Sequence, residues 1–310
     1  MSNILHLGDH YNNSMEWFWR FNTLFFEFLQ SKKINLSMVE PTGSNSFNYN
    51  KRHLFGFEVA YNLNNLIIAN NDTKKCVLFT TFYDLSQLKL GLKNLPLENI
   101  QAIYTGHYDQ VIIERDWPEI KEKIKPWFFR PWHCNTQYTD NCYSPSNNNM
   151  YFRGLLIPKV RDVLTLLNNC NTLGVDVRPE RAKNYLEEIK SCKVGFSMSG
   201  IRDMCNRDIE LWQMGIPFIR PRFTSKIIVP IPDDTYIPVD WDYNYNYLTP
   251  IPSDIDTLAN DIIEKYNEVN NNKKLLTQIS KNGYNFYKDN FTMENIIRKS
   301  FNILEKENII

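Results

Sequence analysis

The 310-residue sequence has no excess of either charge, since 35 basic and 35 acidic side chains give a formal net charge of zero. Without a basic surplus it lacks the electrostatic attraction by which proteins bind bulk nucleic acid or anionic membranes. Its six cysteines are scattered and form no Cys-x-x-Cys pair, so neither a redox motif nor a zinc site of common spacing is indicated. We expect the cysteines to be buried and reduced.

Long apolar runs are also missing. No apolar segment approaches the length needed to cross a bilayer, and the first residues lack the basic and apolar regions of a signal peptide. We therefore expect a cytoplasmic protein. What the chain has instead is an even spread of apolar residues (43%) and aromatic residues (14%), which favours a folded protein over a disordered one.

Patterns typical of strands and helices alternate along the chain. In the first half the predicted strands are 4–7, 34–39, 76–80 and 100–105, and the predicted helices are 16–29, 54–69 and 84–92. After a polar segment at 141–150 the predicted strands are 151–157 and 194–197, and the predicted helices are 159–167, 181–189, 253–269, 274–288 and 292–304. For the last helices, Ser253 and Thr292 are candidate N-caps. This order predicts an α/β protein with parallel, helix-covered sheets.

The most informative segment is 199–219. It predicts a loop containing Gly200, then a helix with Arg207 and Glu210 one turn apart, then a Gly215-Ile216-Pro217 turn into a buried strand. The start of a helix presents backbone N–H groups to a phosphate, and an arginine adds a fork of donors. A glutamate one turn further along can accept hydrogen bonds from sugar hydroxyls. Together these features predict half of a nucleotide-sugar site.

The second half, over about 151–305, resembles the C-terminal, donor-binding domain of GT-B-fold glycosyltransferases. The stretch 152–159 is similar to the strand, turn and basic residue that open that domain. Glu210 stands five residues before Gly215, where those enzymes carry an acidic residue for the ribose. Arg207 resembles the arginine of an Arg-x-x-acid arrangement in exostosin-like families, and 290–294 is similar to an aromatic-Ser/Thr-x-Glu stretch before the last helix.

The resemblance implies two Rossmann-like domains facing across a cleft, with the C-terminal helix crossing back to the first domain. The implied ranges are 1–145 for the acceptor side, 146–290 for nucleotide-sugar binding and 291–310 for the returning helix. One departure concerns the mechanism. Retaining members often carry Glu-x7-Glu ending where Glu210 stands, but the first position here is Arg202, which argues against that retaining pattern. Neighbouring Asp203 could substitute if the loop were shifted.

The expected donor-binding residues lie in the second half: Arg207, Glu210, Asn206, Asp203, Gly200, Ser199, Arg153 and Lys159. A fixed cation at the diphosphate would stabilise the departing nucleotide, and Arg153 and Lys159 are candidates for it, with Arg161 a weaker one. Asn206 and Asp203 are also candidate helix caps beside the ligand. The simpler alternative for Arg207 and Glu210 is a surface ion pair at i, i+3.

An inverting transfer needs a base to accept the proton of the acceptor hydroxyl. His10 or Asp9 is the first choice, since both follow the first predicted strand, and His107 or Asp109 after a later strand is the second. A further alternative is a metal held by Asp240 and Asp242, the spacing used in GT-A-fold enzymes. We expect no metal and no cofactor, with the nucleotide sugar serving as a substrate.

The predicted function is transfer of a sugar from a nucleotide-sugar donor to a hydroxyl of a glycan, protein or small molecule. Two alternatives stay open. A GT-B-fold sugar-nucleotide isomerase or epimerase shares the nucleotide half, and a non-catalytic nucleotide- or carbohydrate-binding protein shares the binding features without turnover.

Overall fold

The computed structural model describes residues 21, 24–33, 36–39, 50–61, 65–80, 95–128, 143–146, 150–152, 159–169, 185–200 and 202–310. The strands of this part are β1 (Ser37–Val39), β2 (Asn50–Leu54), β3 (Phe57–Tyr61), β4 (Asn65–Asn70), β5 (Lys75–Thr80), β6 (Ile100–Thr105), β7 (Ile124–Pro126), β8 (Met150–Tyr151), β9 (Val194–Phe196), β10 (Phe218–Pro221), β11 (Ile237–Val239), β12 (Tyr243–Asn246) and β13 (Thr249–Pro252). The helices are α1 (24–31), α2 (Gln110–Asp116), α3 (Val163–Asn169), α4 (Tyr185–Ser191), α5 (Asn206–Met214), α6 (Ile255–Asn270), α7 (Lys273–Asn290) and α8 (Met293–Lys306). The predicted α/β class is confirmed.

The chain divides into two compact units, each made of separate segments. Of the described residues, unit 1 contains those up to Gly106, then 120–128 and Met293–Ile310. Unit 2 contains His107–Glu119 and those from 143 to Thr292. The domain ranges drawn from the sequence stay a prediction, as does their arrangement across a cleft. None of the described helices is long and apolar enough to cross a membrane.

Unit 1 contains a mixed sheet of strand order β1-β4-β5-β6-β7. Strands β5, β6 and β7 are parallel, and the strands predicted at 76–80 and 100–105 are confirmed. The expectation of a wholly parallel sheet is wrong here, because β4 pairs antiparallel with both β1 and β5. Only 71–74 separate β4 from β5, and a parallel pair needs a crossover of a dozen or more residues.

The helix predicted over 54–69 is wrong, since this range contains strands. Leu54 pairs with Phe57 across a two-residue turn, at which Phe55 has φ 54° and Gly56 has φ 85°. Two successive positive φ values are the geometry of a tight hairpin, and glycine adopts it without steric cost. Further along, the apolar residues of β4 form a buried strand. In so short an apolar run, sequence periodicity alone does not distinguish a strand from a helix.

Helix α8 and the residues after it belong to unit 1. The indole Nε1 of Trp127 donates to Ser300 Oγ at 3.2 Å. Tyr104 Oη and Lys125 Nζ both donate to Glu307 Oε1, at 2.7 and 2.6 Å. Side chains from β6, β7 and the segment after β7 therefore hold the C-terminal segment.

Unit 2 contains a sheet of order β11-β10-β9-β8, and all of its strands are parallel. Its apolar core, which includes Phe196, Ile219 and Ile262, lies between the sheet and helices α3, α6 and α7. The carboxyl ends of β9 and β10 lead into the segments 197–205 and 222–225, at the edge where ligands bind in open parallel sheets.

The three predicted closing helices are confirmed as α6, α7 and α8. The expected N-cap Ser253 is wrong by one residue, because Asp254 caps α6 by accepting from the N–H groups of Asp256 and Thr257. Helix α7 packs closely on α5 at Gly283. A Cβ at Gly283 would lie 2.9 Å from both Trp212 Cδ1 and the carbonyl oxygen of Thr235.

Candidate functional site

Helix α5 begins after Cys205, whose backbone N–H donates to Asp208 Oδ2 at 2.7 Å. It ends at Gly215, which has φ 65° and leads into β10, so the predicted helix and the Gly-Ile-Pro turn are confirmed. The expectation that Asp203 or Asn206 caps this helix is wrong. Cys205 occupies the N-cap position, and the Asp208 carboxylate takes up its N–H in the manner of a capping box.

A fully buried arginine, Arg220 at the end of β10, holds the loop before α5. Its Nε donates to Asp208 Oδ1 at 3.0 Å, and its Nη2 donates to the carboxylate of Asp203 at 2.9 Å. The guanidinium carbon also lies 3.5 Å from the ring centroid of Phe223. Burial alone would lower the pKa of Arg220, but the two carboxylates raise it above its ordinary value, so the side chain stays charged.

Asp203 is likewise occupied within the protein. Its Oδ2 accepts from the backbone N–H groups of Thr224 and Ser225 and from Ser225 Oγ, at 2.7, 2.7 and 2.9 Å. With Arg220 on its other oxygen, this buried carboxylate has a structural role and is not presented to a ligand. Sequence reasoning missed Arg220. The available signal was a charged residue at the end of an otherwise apolar strand.

Two arginines lie over the buried ring of Phe152, just after β8. The guanidinium carbon of Arg207 is 4.1 Å from the ring centroid, and that of Arg161 is 5.2 Å away. Arg161 is itself buried, and its Nε donates to the carbonyl oxygen of Ser199 at 3.1 Å. Burial, and to a lesser extent the positive charge of Arg207, lowers the pKa of Arg161. An anion bound beside both guanidinium groups would relieve their repulsion.

One backbone amide of the loop that was predicted to bind phosphate is engaged within the protein. The N–H of Gly200 donates to the carbonyl oxygen of Arg202 at 2.8 Å, so that amide is bonded within the loop. Ser199 is buried, and its hydroxyl lies 3.5 Å from Asp203 Oδ1. The guanidinium groups of Arg207 and Arg161 are therefore the better candidates for holding an anion at this edge of the sheet. From the sequence, Arg161 is a weaker candidate for binding the diphosphate than Arg153 and Lys159.

The other expected donor residues have different surroundings. Glu210 is buried on α5, one turn after Arg207, and Asn206 is half-buried as the first residue of the helix. Lys159 is exposed and has φ 64°. Arg153 lies outside the described residues.

Of the expected catalytic residues, Asp109 is engaged in unit 2. It caps α2 by accepting from the N–H groups of Val111 and Ile112, and its Oδ2 accepts from Tyr245 Oη at 2.5 Å. Burial and this hydrogen bond raise the pKa of Tyr245, so the phenol stays protonated. His107 is half-buried and also belongs to unit 2. Asp9 and His10 lie outside the described residues.

The alternative metal site has one carboxylate in an ion pair. Asp240 Oδ1 accepts from Arg222 Nε at 2.7 Å, and Arg222 also bonds Asp233. Asp242 is exposed. Among the residues that the structure describes, no group of three or more His, Cys, Asp and Glu side chains is arranged to hold a metal ion.

Comparison with known proteins gives similarity at the level of structure only. No protein-family profile matches the chain, and no curated protein matches it. A glycosyltransferase from Rickettsia africae is 12% identical with a TM-score of 0.44, over 74% of this chain and 70% of that one. Anabaena HepE, in complex with UDP and glucose, is 14% identical with a TM-score of 0.47, over 72% and 68%. The pneumococcal O-GlcNAc transferase GtfA, in complex with UDP and GlcNAc, is 11% identical with a TM-score of 0.40, over 68% and 46%. With TM-scores below 0.5, these likenesses assign neither a family nor an activity to this chain.

Proposed function

We propose that this protein is a glycosyltransferase that moves a sugar from a nucleotide-sugar donor to an acceptor hydroxyl. The observation that carries the proposal is the pair of guanidinium groups over Phe152, with Glu210 buried one turn after Arg207 on α5. In this proposal Arg207 and Arg161 bind the diphosphate. Glu210 accepts hydrogen bonds from hydroxyl groups of the donor.

The charges at this site suit the chemistry of the transfer. When the bond between the sugar and the diphosphate breaks, negative charge grows on the leaving phosphate. Fixed cations stabilise that developing charge more than they stabilise the intact donor, and this difference lowers the barrier. Arg161 is held by Ser199 and the loop by Arg220, so the cations need little rearrangement when the donor binds.

The base that accepts the proton of the acceptor hydroxyl is proposed to be His10 or Asp9, with His107 as the second choice. Asp109 is a weaker candidate than His107, because its carboxylate accepts hydrogen bonds from Tyr245 and from the start of α2. We also propose that the protein works in the cytoplasm, binds no nucleic acid and needs no metal. The ion pair between Asp240 and Arg222 supports the last point, and activity that is unchanged in EDTA would test it.

The first experiment is a thermal-shift screen with UDP, GDP, CMP and dTDP and their sugars, because a ligand that binds only the folded state raises Tm. The nucleotide that binds is then titrated against Arg207→Ala and Glu210→Ala. Each loss removes charge-assisted hydrogen bonds and should weaken binding by about tenfold to a hundredfold. Lys274→Ala removes an exposed cation of the same unit, on α7, and is the matched control that should bind as the wild type does. Equal affinity in all three variants would remove the basis of the proposal.

A second experiment separates the transferase from its alternatives. The protein is incubated with the bound donor alone and then with a panel of acceptors, and products are followed by mass spectrometry. A transferase gives a glycosylated acceptor and free nucleotide. Conversion of the sugar while it is still attached to the nucleotide, without an acceptor, would indicate an isomerase. Binding without turnover would indicate a non-catalytic protein.

A further inference from the structure

A groove of about 990 Å³ lies in unit 2 and shares no residue with the candidate donor site. One side of it is formed by 143–146, which precede β8, and by Lys193, which immediately precedes β9. The other side is formed by helix α7 and the end of α6. The groove therefore lies toward the amino ends of β8 and β9, whereas the loops of the donor site follow the carboxyl ends of β9 and β10. Its volume is that of a site for an organic ligand or a short part of a polymer.

The groove is positively charged, although the chain as a whole is neutral. Among the residues that the structure describes, its lining includes the lysines Lys193, Lys273 and Lys281 and no aspartate or glutamate. Lys273 and Lys281 are exposed, and neither forms an ion pair with a described residue. Helix α7 as a whole contains four lysines and one acidic residue, Asp289. A concave surface with such an excess of positive charge attracts an anionic ligand.

The lysines of α7 are arranged along the groove. Lys273, Thr277, Lys281 and Tyr284 all line it, and their spacing of three or four residues puts them on one face of the helix. The rise along a helix places the Cα atoms of Lys273 and Lys281 about 12 Å apart. Two cations at this separation on a rigid helix favour a ligand with several negative groups over a single small anion.

The groove also contains an unsatisfied neutral acceptor. Asn270, the last residue of α6, lines it, and its Oδ1 is buried without a hydrogen-bond partner among the described residues. A buried acceptor without a donor is destabilising, and a ligand that reached Asn270 with a hydroxyl group would satisfy it. A fully ionised anion has no proton to donate. The ligand that matches both features therefore carries hydroxyl groups as well as negative charges.

From these observations we infer that the groove binds an acidic saccharide, a carbohydrate chain with carboxylate, sulfate or phosphate groups. The lysines bind the negative groups, and the Asn270 amide and the other hydroxyl and amide groups of the lining bond to sugar hydroxyls. The rings of Tyr143 and Tyr284 line the same groove and add apolar contact for the C–H groups of a sugar. This binding does not depend on the proposed transfer, because the groove and the donor site have no residue in common.

The test is biolayer interferometry of the full chain against four immobilised polymers. Polygalacturonate and dextran sulfate are acidic saccharides, dextran is the same kind of chain without charge, and polyphosphate is charge without sugar. Binding to at least one acidic saccharide is expected, tighter than to dextran or polyphosphate. Lys273→Gln/Lys281→Gln should weaken it by about threefold to twentyfold. Lys121→Gln/Lys306→Gln, which removes two exposed lysines of unit 1, is the matched control.

A single substitution tests the hydroxyl contact separately. Asn270→Ala should weaken saccharide binding by about twofold to tenfold and melt at or above the wild-type Tm, because it removes an unsatisfied buried oxygen. A purely structural asparagine would instead lower Tm and leave the affinity unchanged.

Four results would each overturn the inference: no binding to either acidic saccharide, equal affinity of wild type and the groove double variant, equal affinity for dextran, or equal affinity for polyphosphate. Nucleotide titration of the same samples keeps the two proposals apart. A protein that binds an acidic saccharide but no nucleotide would refute the proposed function and leave the groove as a binding site. Nucleotide binding without saccharide binding would do the reverse.

Discussion

Arg220 Nη2 donates to both the carbonyl oxygen and the carboxylate of Asp203, at 2.7 and 2.9 Å. These two bonds join the end of strand β10 to the loop before α5, and the bond from Arg220 to Asp208 extends the connection to the helix itself. The position of Arg207 over Phe152 therefore depends on a buried arginine that is not among the proposed ligand contacts.

Replacing Arg220 by methionine is expected to be strongly destabilising. It leaves two buried carboxylates, Asp203 and Asp208, without their cation, which costs about 3–5 kcal/mol. Arg222→Met is the matched control, since Arg222 also bridges two carboxylates but is exposed, and its loss costs about 0–1 kcal/mol. Urea denaturation of both variants measures the difference. Similar costs would mean that the buried network contributes little to stability.

Gly283→Ala is expected to destabilise unit 2, although alanine is the better helix former by about 1 kcal/mol. The added Cβ would lie 2.9 Å from the Trp212 ring, and overpacking of this kind costs about 1–3 kcal/mol. Lys281→Ala, at an exposed position of the same helix, should be nearly neutral. Circular dichroism during thermal unfolding reports both, and a rise in Tm for Gly283→Ala would contradict the close packing of α5 and α7.

Cysteine labelling tests the raised thiol pKa values, including that of half-buried Cys205 before α5. Burial raises the pKa of Cys76 and Cys192 to about 12, and it raises that of Cys205 as well. Because a raised pKa keeps the thiol protonated and the thiolate is the reactive form, these three should resist iodoacetamide from about pH 7 to 9. Peptide mass spectrometry, with urea-unfolded protein as the fully labelled control, measures each site. Cys205 is half-buried whereas Cys76 and Cys192 are buried, so fast labelling of native Cys205 alone would contradict its raised pKa without requiring the loop to open.

Arg207→Lys separates the effect of charge from that of side-chain shape at the proposed donor site. Lysine keeps the positive charge but loses the planar guanidinium that lies over Phe152. We expect nucleotide affinity between those of wild type and Arg207→Ala, with a loss of about twofold to fivefold for the lost ring contact. Isothermal titration calorimetry with the nucleotide found in the thermal-shift screen measures it. Full affinity in the lysine variant would mean that charge alone is needed.

The parts of the fold with strong local signals could be predicted. Hydrophobic periodicity and nearby capping residues predicted helix α5, the turn at Gly215 and the three closing helices. These signals lie within a few positions of one another in the sequence. The hairpin of β2 and β3 could not be separated from a helix, because its apolar residues fit either period over so short a range. Asp109 was predicted only as a candidate base, and its two structural roles were missed: it caps α2, and it accepts from Tyr245, which is 136 residues away.

The candidate site shows the same division. Arg207 and Glu210 were proposed from the sequence because they share one helix with the turn that follows it, and their role as donor ligands stays a prediction. Arg220 was missed because its partners, Asp208 and Asp203, lie 12 and 17 residues earlier in the chain. No local sequence pattern predicts an ion pair at that separation. Arg161 was ranked low because its burial and its bond to Ser199 are consequences of the folded chain.

The contacts of Glu307 and Ser300 with Tyr104, Lys125 and Trp127 have a consequence for biosynthesis. A ribosome releases residues in sequence order, so all of unit 2 emerges before the segment Met293–Ile310 that completes unit 1. Until then the site on unit 1 that receives α8 stays uncovered. During synthesis, unit 1 therefore stays incompletely folded until the last residues emerge. Chaperones would bind unit 1 in that state, and premature truncation would leave it without α8.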